Sequence, residues 1–161
     1  MSRILKLITP FALTLALSGS VAGAAYGMGG GSDSDSKKPA DPNYAAARQL
    51  VEDGKYAEAI PLLEKVVAGD AENADAFNYL GYSNRKLGNN DVALTHYQKA
   101  LAIEPRHRGA NEYLGELYLT LGDLAKAEER LSVLDDACFF GCDEYTELKN
   151  AIAEYKAKAG S

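Results

Sequence analysis

The sequence predicts an all-α protein, a right-handed α-α superhelix of three helix pairs followed by a C-terminal capping helix. Two observations predict this fold class. From residue 43 onward similar residues return every 34 positions, with Gly54, Gly88 and Gly122 in one column. A period of 34 residues is typical of a helix–turn–helix solenoid. Within each unit, apolar residues recur three and four positions apart, which places them on one face of a helix.

The first 24 residues have the features of a secretory signal peptide. Arg3 and Lys6 give a basic start, residues 7–17 are largely apolar, and small residues such as Ala22-Gly23-Ala24 follow. The apolar run is too short to cross a bilayer, although a retained membrane anchor is the alternative. The sequence therefore predicts a periplasmic or secreted protein, with no stable membrane insertion once residues 1–24 are removed.

Residues 25–42 are rich in Gly, Ser, Asp and Pro. Such a segment cannot bury enough apolar surface to offset the loss of backbone entropy, so we expect a flexible leader. Asp33 and Asp35 are spaced like two calcium ligands, but the rest of a calcium-binding loop is missing. The repeat domain is predicted to occupy residues 43–158.

The repeats are predicted at about 40–73, 74–107 and 108–141. Their helix pairs are expected at 43–53 with 56–68, 74–87 with 90–103, and 108–121 with 124–136. The column glycines stop the first helix of each pair because glycine adopts a left-handed conformation at little steric cost. Pro105 ends the second helix of the middle repeat, and Pro61 fits its helix only because it lies near the helix start.

A seventh helix is predicted at about 143–158, with Asp143 as its N-cap. One stripe of this helix is apolar and aromatic: Tyr145, Leu148, Ile152 and Tyr155. We expect it to cap the solenoid, because the end of a repeat array needs an element with one polar face. A partner-recognition helix is the alternative.

The middle repeat carries the most complete set of recurring residues: Phe77, Leu80, Gly81, Gly88, Ala93, Tyr97, Ala100 and Pro105. This set closely resembles the tetratricopeptide repeat, whose pattern is W-x2-L-G-x2-Y followed by A-x3-F, an Ala and a Pro. The resemblance covers roughly residues 40–141. The chain departs from the pattern at Asn43, Asn84 and Asn111, which stand where the family has aromatic residues. The segment around the two cysteines is also similar to the tail of small exported bacterial members of that family.

Cys138 and Cys142 enclose Phe-Phe-Gly at the junction between the third repeat and the capping helix. Two cysteines in an exported protein usually pair, and Gly141 would allow so small a loop to close. The leading prediction is therefore a structural disulfide. A redox dithiol and a thiolate metal site are the alternatives, and no metal ion or other cofactor is predicted.

The composition and the motifs argue against an enzyme and against nucleic acid as a partner. The net charge of −6 and the pI near 4.9 disfavour phosphate binding, which needs clustered cations. No zinc-protease, phosphate-loop, nucleophile-elbow or dinucleotide motif is present. His96 and His107 are predicted to be surface residues. Glu112 and Glu116 share a helix face without a companion base, so no catalytic residue is predicted.

The resemblance implies binding of an extended peptide or a partner helix in the concave groove formed by the first helix of each pair. The residues predicted to bind the partner are Tyr44, Arg48, Asn78, Tyr82, Arg85, Lys86, Glu112 and Glu116. Further lining residues are Val51, Tyr79, Tyr113 and Leu119, although Tyr79 and Tyr113 are alternatively interpreted as packing between repeats. Tyr82, Arg85 and Lys86 would form a cationic and aromatic spot for an acidic segment, with a basic residue favoured near Glu112 and Glu116.

The predicted function is that of a non-catalytic interaction module, an exported adaptor or assembly factor whose partner is another protein. The first alternative is a thiol-redox or metal-handling accessory protein that uses Cys138 and Cys142. The second alternative is a self-associating array, in which the partner is another copy of the chain and the protein is a homo-oligomer. The carboxylate clamp of the family, with its Lys and paired Asn residues, is not reproduced in this sequence.

Overall fold

The computed structural model describes residues 41–160, which form seven helices and no strand. The helices are α1 (Pro42–Glu52), α2 (Tyr56–Gly69), α3 (Ala74–Lys86), α4 (Asn90–Ile103), α5 (Arg108–Thr120), α6 (Leu124–Ala137) and α7 (Asp143–Ala159). The predicted signal peptide and all but the last two residues of the predicted leader lie outside the described residues. Within residues 41–160, no helix combines the length and the apolar character that crossing a bilayer requires.

The helices pack as three antiparallel pairs, α1 with α2, α3 with α4, and α5 with α6. The first helices of successive pairs also touch one another, and α7 packs against α5 and α6 as the first helix of a further unit would. Helices α1, α3, α5 and α7 therefore form one continuous concave layer. The predicted all-α superhelix is confirmed.

The helix ends follow from local chemistry. Gly54, Gly88 and Gly122 adopt φ values of 74°, 82° and 82°, so each reverses the chain between the helices of a pair at little steric cost. Helix α3 begins where the Asn73 side chain accepts a hydrogen bond from the Ala76 amide at 2.9 Å. Helix α7 lies where it was predicted, but its predicted N-cap is wrong by one residue, because Cys142 rather than Asp143 caps it.

Close approach of the helices depends on small residues in one column. A Cβ atom at Gly81 would lie 2.6 Å from the ring of Tyr97, which is fully buried. A Cβ atom at Gly115, one period later, would lie 2.5 Å from the side chain of Leu148 on α7. The same glycine column thus seats the second helix of its own pair in the middle repeat and the capping helix at the end.

Two asparagines that replace family aromatics are buried and hydrogen-bonded. Asn111 has no exposed surface; its Nδ2 donates to the carbonyls of Pro105 and His107, and its Oδ1 accepts from Arg130 at 3.3 Å. Asn84 donates to the Leu80 carbonyl at 2.9 Å. Asn111 thereby joins the loop before α5 to helices α5 and α6, and Asn84 adds a hydrogen bond within α3, where the family uses aromatic packing.

The structure corrects the prediction that both histidines lie on the surface. His107 is 9% exposed, and its Nδ1 accepts a hydrogen bond from the Ala110 amide, which makes it the N-cap of α5. Its Nε2 lies 3.0 Å from Oδ1 of Asp75, in the first turn of α3, and thereby links two repeats. His96 is half-buried and stacks on Phe77, and burial lowers the pKa of its imidazole.

Candidate functional site

A ladder of tyrosines lines the first part of the concave layer. Tyr82 lies at its centre, with ring centroids 5.8 Å from Tyr56 and 4.8 Å from Tyr113. Tyr44 on α1 and Tyr79 on α3 form an edge-to-face pair whose ring centroids are 5.9 Å apart. We call these five tyrosines the tyrosine half of the groove. Only Tyr79 and Tyr113 are equivalent by the 34-residue period; the other three rings join them because neighbouring helices bring different columns together.

The tyrosine half encloses a cavity of about 290 Å³. Its lining consists of Val51, Glu52, Tyr56, Tyr79, Tyr82 and Tyr113. Burial, assisted by nearby negative charge, raises the pKa of the Tyr44 and Tyr113 phenols above their ordinary value. These hydroxyls stay neutral at physiological pH, so the groove presents aromatic faces with polar edges. The ring faces of such a surface can contact an apolar side chain, and its hydroxyls can form hydrogen bonds with peptide groups.

The structure corrects the role predicted for Arg85. Its guanidinium is 2.7 Å from the carboxylate of Glu116, and its side chain is only 15% exposed. The same group lies 5.6 Å from the ring centroids of both Tyr82 and Tyr113. Arg85 therefore joins α3 to α5 beneath the tyrosines, and its charge is already balanced by Glu116. The predicted open cationic spot is reduced to Lys86, which is exposed and lies 5.1 Å from the Tyr82 ring.

Two other residues predicted to bind the partner are buried, which corrects that part of the prediction. Asn78 is 6% exposed and Glu112 is 3% exposed, so neither presents its side chain to an incoming ligand. Of the predicted lining residues on α1, Tyr44 is half-buried in the ladder and Arg48 is exposed, 3.4 Å from Glu52. The sequence places these positions on the inner helices but does not reveal which of them the next helix covers.

The C-terminal part of the concave layer differs in chemistry. Glu112 on α5 shares a hydrogen bond with Glu147 on α7. Burial is the main cause that raises the pKa of Glu112 to about 9, and Glu147, Glu116 and Glu144 raise it further. Glu112 is therefore protonated at neutral pH. We call Glu112 and Glu147 the carboxyl pair.

A second cavity of about 350 Å³ lies between α5 and α7. It is lined mostly by charged and polar residues: Arg85, Glu116, Leu119, Thr120, Ala151, Glu154, Tyr155 and Lys158. Leu119, which was predicted to line the groove, lies in this cavity, toward the capping helix and away from the tyrosine half.

The loop between α6 and α7 is closed by a disulfide. The Sγ atoms of Cys138 and Cys142 are 2.03 Å apart, and their Cα atoms are 5.6 Å apart. Within residues 41–160, these two sulfurs and the Glu144 carboxylate form the one group with the spacing of three metal ligands. Because the sulfurs are bonded to each other, thiol or metal chemistry at this place requires that the bond first be reduced.

Sequence reasoning missed two features of the surface. Tyr56 completes the aromatic cavity from the start of α2, whereas the lining was predicted from first helices alone. Tyr56 is the one aromatic residue in its column, which continues with Asn90 and Leu124, and that difference was the available signal. The near-complete exposure of Phe139 and Phe140 was the second feature.

Similar proteins share the repeats and the fold. Among curated proteins, the chain is 30% identical over 90 residues to tetratricopeptide repeat protein 1 of Schizosaccharomyces pombe. It is 33% identical over 79 residues to a probable biofilm formation methyltransferase, WspC, of Pseudomonas aeruginosa. These alignments cover 52% and 49% of this chain but only 9% and 19% of the two relatives, so the likeness concerns a small part of each.

Solved structures with a similar fold include secretion chaperones and other repeat domains. The translocator chaperone SycD of Yersinia enterocolitica matches with a TM-score of 0.65 and 21% identity, over 74% of this chain and 84% of that one. PcrH, in complex with the chaperone binding region of PopD, matches with a TM-score of 0.62 and 22% identity, over 73% and 89% of the two chains. The first repeat domain of Spaghetti (RPAP3), bound to an HSP90 peptide, matches with a TM-score of 0.65 and 18% identity, over 74% and 91%.

Family models settle the relationship at the level of sequence. One tetratricopeptide repeat model matches residues 44–103, and a second matches residues 85–155. The two matches overlap and together span all three helix pairs and most of α7. The chain therefore belongs to the tetratricopeptide repeat family.

Proposed function

We propose that this protein is an exported, non-catalytic adaptor or assembly factor that binds a peptide or a helical segment of another protein in its concave groove. The observation that carries the proposal is the cavity of the tyrosine half. Four of its six lining residues are tyrosines, and all six lie on α1, α2, α3 and α5. Tyrosine is enriched among the residues that supply most of the binding energy at protein interfaces.

The chemistry of the groove indicates which segment would bind. The cavity of about 290 Å³ accepts one large apolar side chain, while the neutral phenols can pair with backbone groups beside it. Because Arg85 is held by Glu116 at 2.7 Å, it is not free to grip a terminal carboxylate. The expected ligand therefore carries an aromatic or aliphatic anchor, and an acidic residue next to that anchor would face Lys86.

Similar folds support this assignment. Related structures hold peptide segments of other proteins: SycD with a peptide of the translocator YopD, PcrH with the chaperone binding region of PopD, and RPAP3 with an HSP90 peptide. Identity to these chains is 18–22%, so the choice of partner rests on this protein's own groove residues.

Export is the part of the proposal that depends on residues 1–24. The basic start, the short apolar run and the small residues that follow support it. We expect cleavage between about residues 22 and 26, because the small-residue sites lie there. N-terminal sequencing of the protein recovered from its own cells measures this directly, and a chain still beginning at Met1 or Ser2 would contradict export by this signal.

Site-specific photocrosslinking tests the groove. A photoreactive amino acid is placed at Lys86, on the exposed rim beside Tyr82, and in a matched variant at Lys65, on the exposed side of the outer helix α2. We expect a discrete protein adduct from position 86 and none from position 65. Adducts of equal yield from both positions, or from position 65 alone, would contradict binding in the groove.

A further inference from the structure

Phe139 and Phe140 are exposed to a degree that no packing role explains. Phe139 is 89% exposed and Phe140 is 98% exposed. The other large apolar residues exposed in residues 41–160, Leu87, Val92 and Leu121, are each less than half exposed. The two phenylalanine rings touch only edge to face, with centroids 5.4 Å apart. An adjacent pair of large apolar side chains in solvent marks an interaction surface rather than a core.

Comparison of equivalent loops shows that the repeat does not require these rings. Phe139 occupies the column of Ala71 and Pro105, and Phe140 occupies the column of Glu72 and Arg106. All four of the earlier residues are exposed, and none is a large apolar side chain. The aromatic pair is therefore a feature of the third loop alone, placed where the fold tolerates polar or small residues.

The loop holds the pair in a fixed position. Its two ends are joined by the Cys138–Cys142 disulfide, and the Gly141 amide donates to the Cys138 carbonyl at 2.8 Å across the turn. Gly141 has a φ of 84°, which the tight reversal requires. Cys138 packs against the core between α6 and α7, and Cys142 caps α7. A surface ordered before binding loses less conformational entropy when it docks.

Acidic residues flank the aromatic pair on both sides in the sequence. Asp135 and Asp136 precede the loop, and Asp143 and Glu144 follow it. Of the nearby cations, Arg106 donates to the backbone carbonyl of Asp136, and Arg108 lies 4.0 Å from the Glu144 carboxylate. Four acids against these two cations leave the flanking residues net negative, and we call Asp135, Asp136, Asp143 and Glu144 the acidic collar of the apolar tip. An anionic lipid surface would repel it, whereas a basic protein surface would attract it.

We propose that Phe139 and Phe140 form a second docking surface, separate from the groove, that inserts its rings into an apolar pocket of a folded protein whose rim carries lysine or arginine. Neither residue lines the two groove cavities, and the loop follows the outer helix α6. The rings supply the burial, the acidic collar sets the orientation, and the disulfide limits the entropy lost on docking. The protein would then hold one partner in the groove and a second partner at this loop.

Photocrosslinking from the loop identifies the occupant. A benzophenone amino acid replaces Phe140, and the matched variant carries it at Leu121, a half-exposed position in the turn between α5 and α6. In cells that make the protein, we expect one protein adduct from position 140 that is absent from position 121. An adduct of two copies of this chain, or no adduct from position 140, would overturn the proposal.

The partner identified by crosslinking is then purified without the crosslink, and its affinity for variants of this protein tests how the loop binds it. Phe139→Ser with Phe140→Ser should weaken binding at least about tenfold while the melting temperature stays unchanged, because the rings support no core. Cys138→Ser with Cys142→Ser retains both rings and should still weaken binding severalfold. Raising the salt from roughly 50 to 500 mM should also weaken it, because that screens the acidic collar.

Two further measurements separate this surface from its competitors. Tyr82→Ala, in the groove, should leave binding at the loop unchanged. Vesicles of phosphatidylglycerol should not sediment the protein. Two results would overturn the proposal. One is sedimentation with these vesicles that is lost in the Phe139→Ser, Phe140→Ser variant. The other is that this variant binds the partner as tightly as wild type.

Discussion

Equivalent positions of the repeat carry aromatic residues at one end of the concave layer and acidic or polar residues at the other. Tyr79 and Tyr113 fill one column in α3 and α5, and Glu147 takes that position in α7. The tyrosines border an open cavity, whereas Glu147 meets the buried Glu112. A single backbone register therefore builds an aromatic cavity at one end, and a buried carboxyl contact beside a more polar cavity at the other.

The difference shows that the period determines where a side chain lies and its neighbours determine what it does. In the tyrosine half, the next inner helix leaves room between rings, so a cavity of about 290 Å³ remains. At the end, α7 lies close against α5 because Gly115 has no Cβ atom, and Leu148 fills that space. The predictions that follow alter one end and use the other as the control.

The largest expected effect concerns the core of the middle repeat. Tyr97 is fully buried against Gly81 and lies 6.4 Å from Tyr113, between centroids. We expect Tyr97→Ala to lower the free energy of unfolding by about 3–5 kcal/mol, as for other large aromatic residues removed from a core. Tyr155→Ala, on the half-buried face of α7, should cost less than about 1 kcal/mol. Urea unfolding measures both, and equal losses would contradict the comparison.

The glycine column provides the next test. Gly81→Ala drives a Cβ atom into the Tyr97 ring, which has no free space, and we expect a loss of about 2–3 kcal/mol. Gly115→Ala meets the methyl groups of Leu148 on α7, which packs against α5 and α6 alone among the described helices, so we expect about 1–2 kcal/mol. If Gly115→Ala proves the more costly in thermal unfolding, the cap is more rigid than the middle repeat.

Removal of the disulfide is expected to lower the free energy of unfolding by about 2 kcal/mol, because the bond closes a short loop in the unfolded chain. Cys138→Ser with Cys142→Ser should lower the free energy of unfolding by that amount without abolishing the fold. The core formed by α1, α2 and α3 should be unaffected in hydrogen exchange, since Cys138 packs with a separate cluster formed by α5, α6 and α7. Counting free thiols in the protein recovered from its cells gives the accompanying check. Two free thiols there would favour the thiol-redox or metal-handling alternative.

The carboxyl pair predicts a pH dependence between about pH 5 and about pH 9, where the half-buried phenols of the tyrosine half stay neutral. Folding raises the pKa of Glu112 from 4.5 to about 9, so the folded state favours the protonated form. Its stabilising contribution is complete below the unfolded pKa and is lost as pH rises through the folded pKa. Glu112→Gln keeps a neutral side chain, so we expect it to be more stable than wild type by at least about 1 kcal/mol near pH 9 and similar near pH 4.

Thermal unfolding across that range measures the effect of Glu112. Glu147→Gln is the matched control, because it removes the facing carboxyl and should reduce the same pH dependence. A wild-type stability that does not fall between about pH 5 and about pH 9, relative to Glu112→Gln, would show that Glu112 ionises without cost in the folded protein.

The sequence predicts the fold well because the repeat is a local signal. Each helix has its own apolar stripe and stop residue, such as Gly88, so seven helices are recoverable without knowledge of the packing. The environments of single residues are not local. Arg85 meets Glu116, His107 meets Asp75, and Glu112 meets Glu147, each across two inner helices. Such pairings depend on how closely the helices cross, which is why the burial of Glu112 and His107 was not predictable.

The most direct test of the account compares two residues in one column, Tyr82 in the tyrosine half and Asn150 on α7. The measurement is the dissociation constant for the partner captured from position 86, by calorimetry, for wild type, Tyr82→Ala and Asn150→Ala. We predict that Tyr82→Ala weakens binding at least about tenfold, or 1.4 kcal/mol, while Asn150→Ala changes it less than about twofold. If both folded variants bind like wild type, or if Asn150→Ala has the larger effect, the partner does not bind in the tyrosine half.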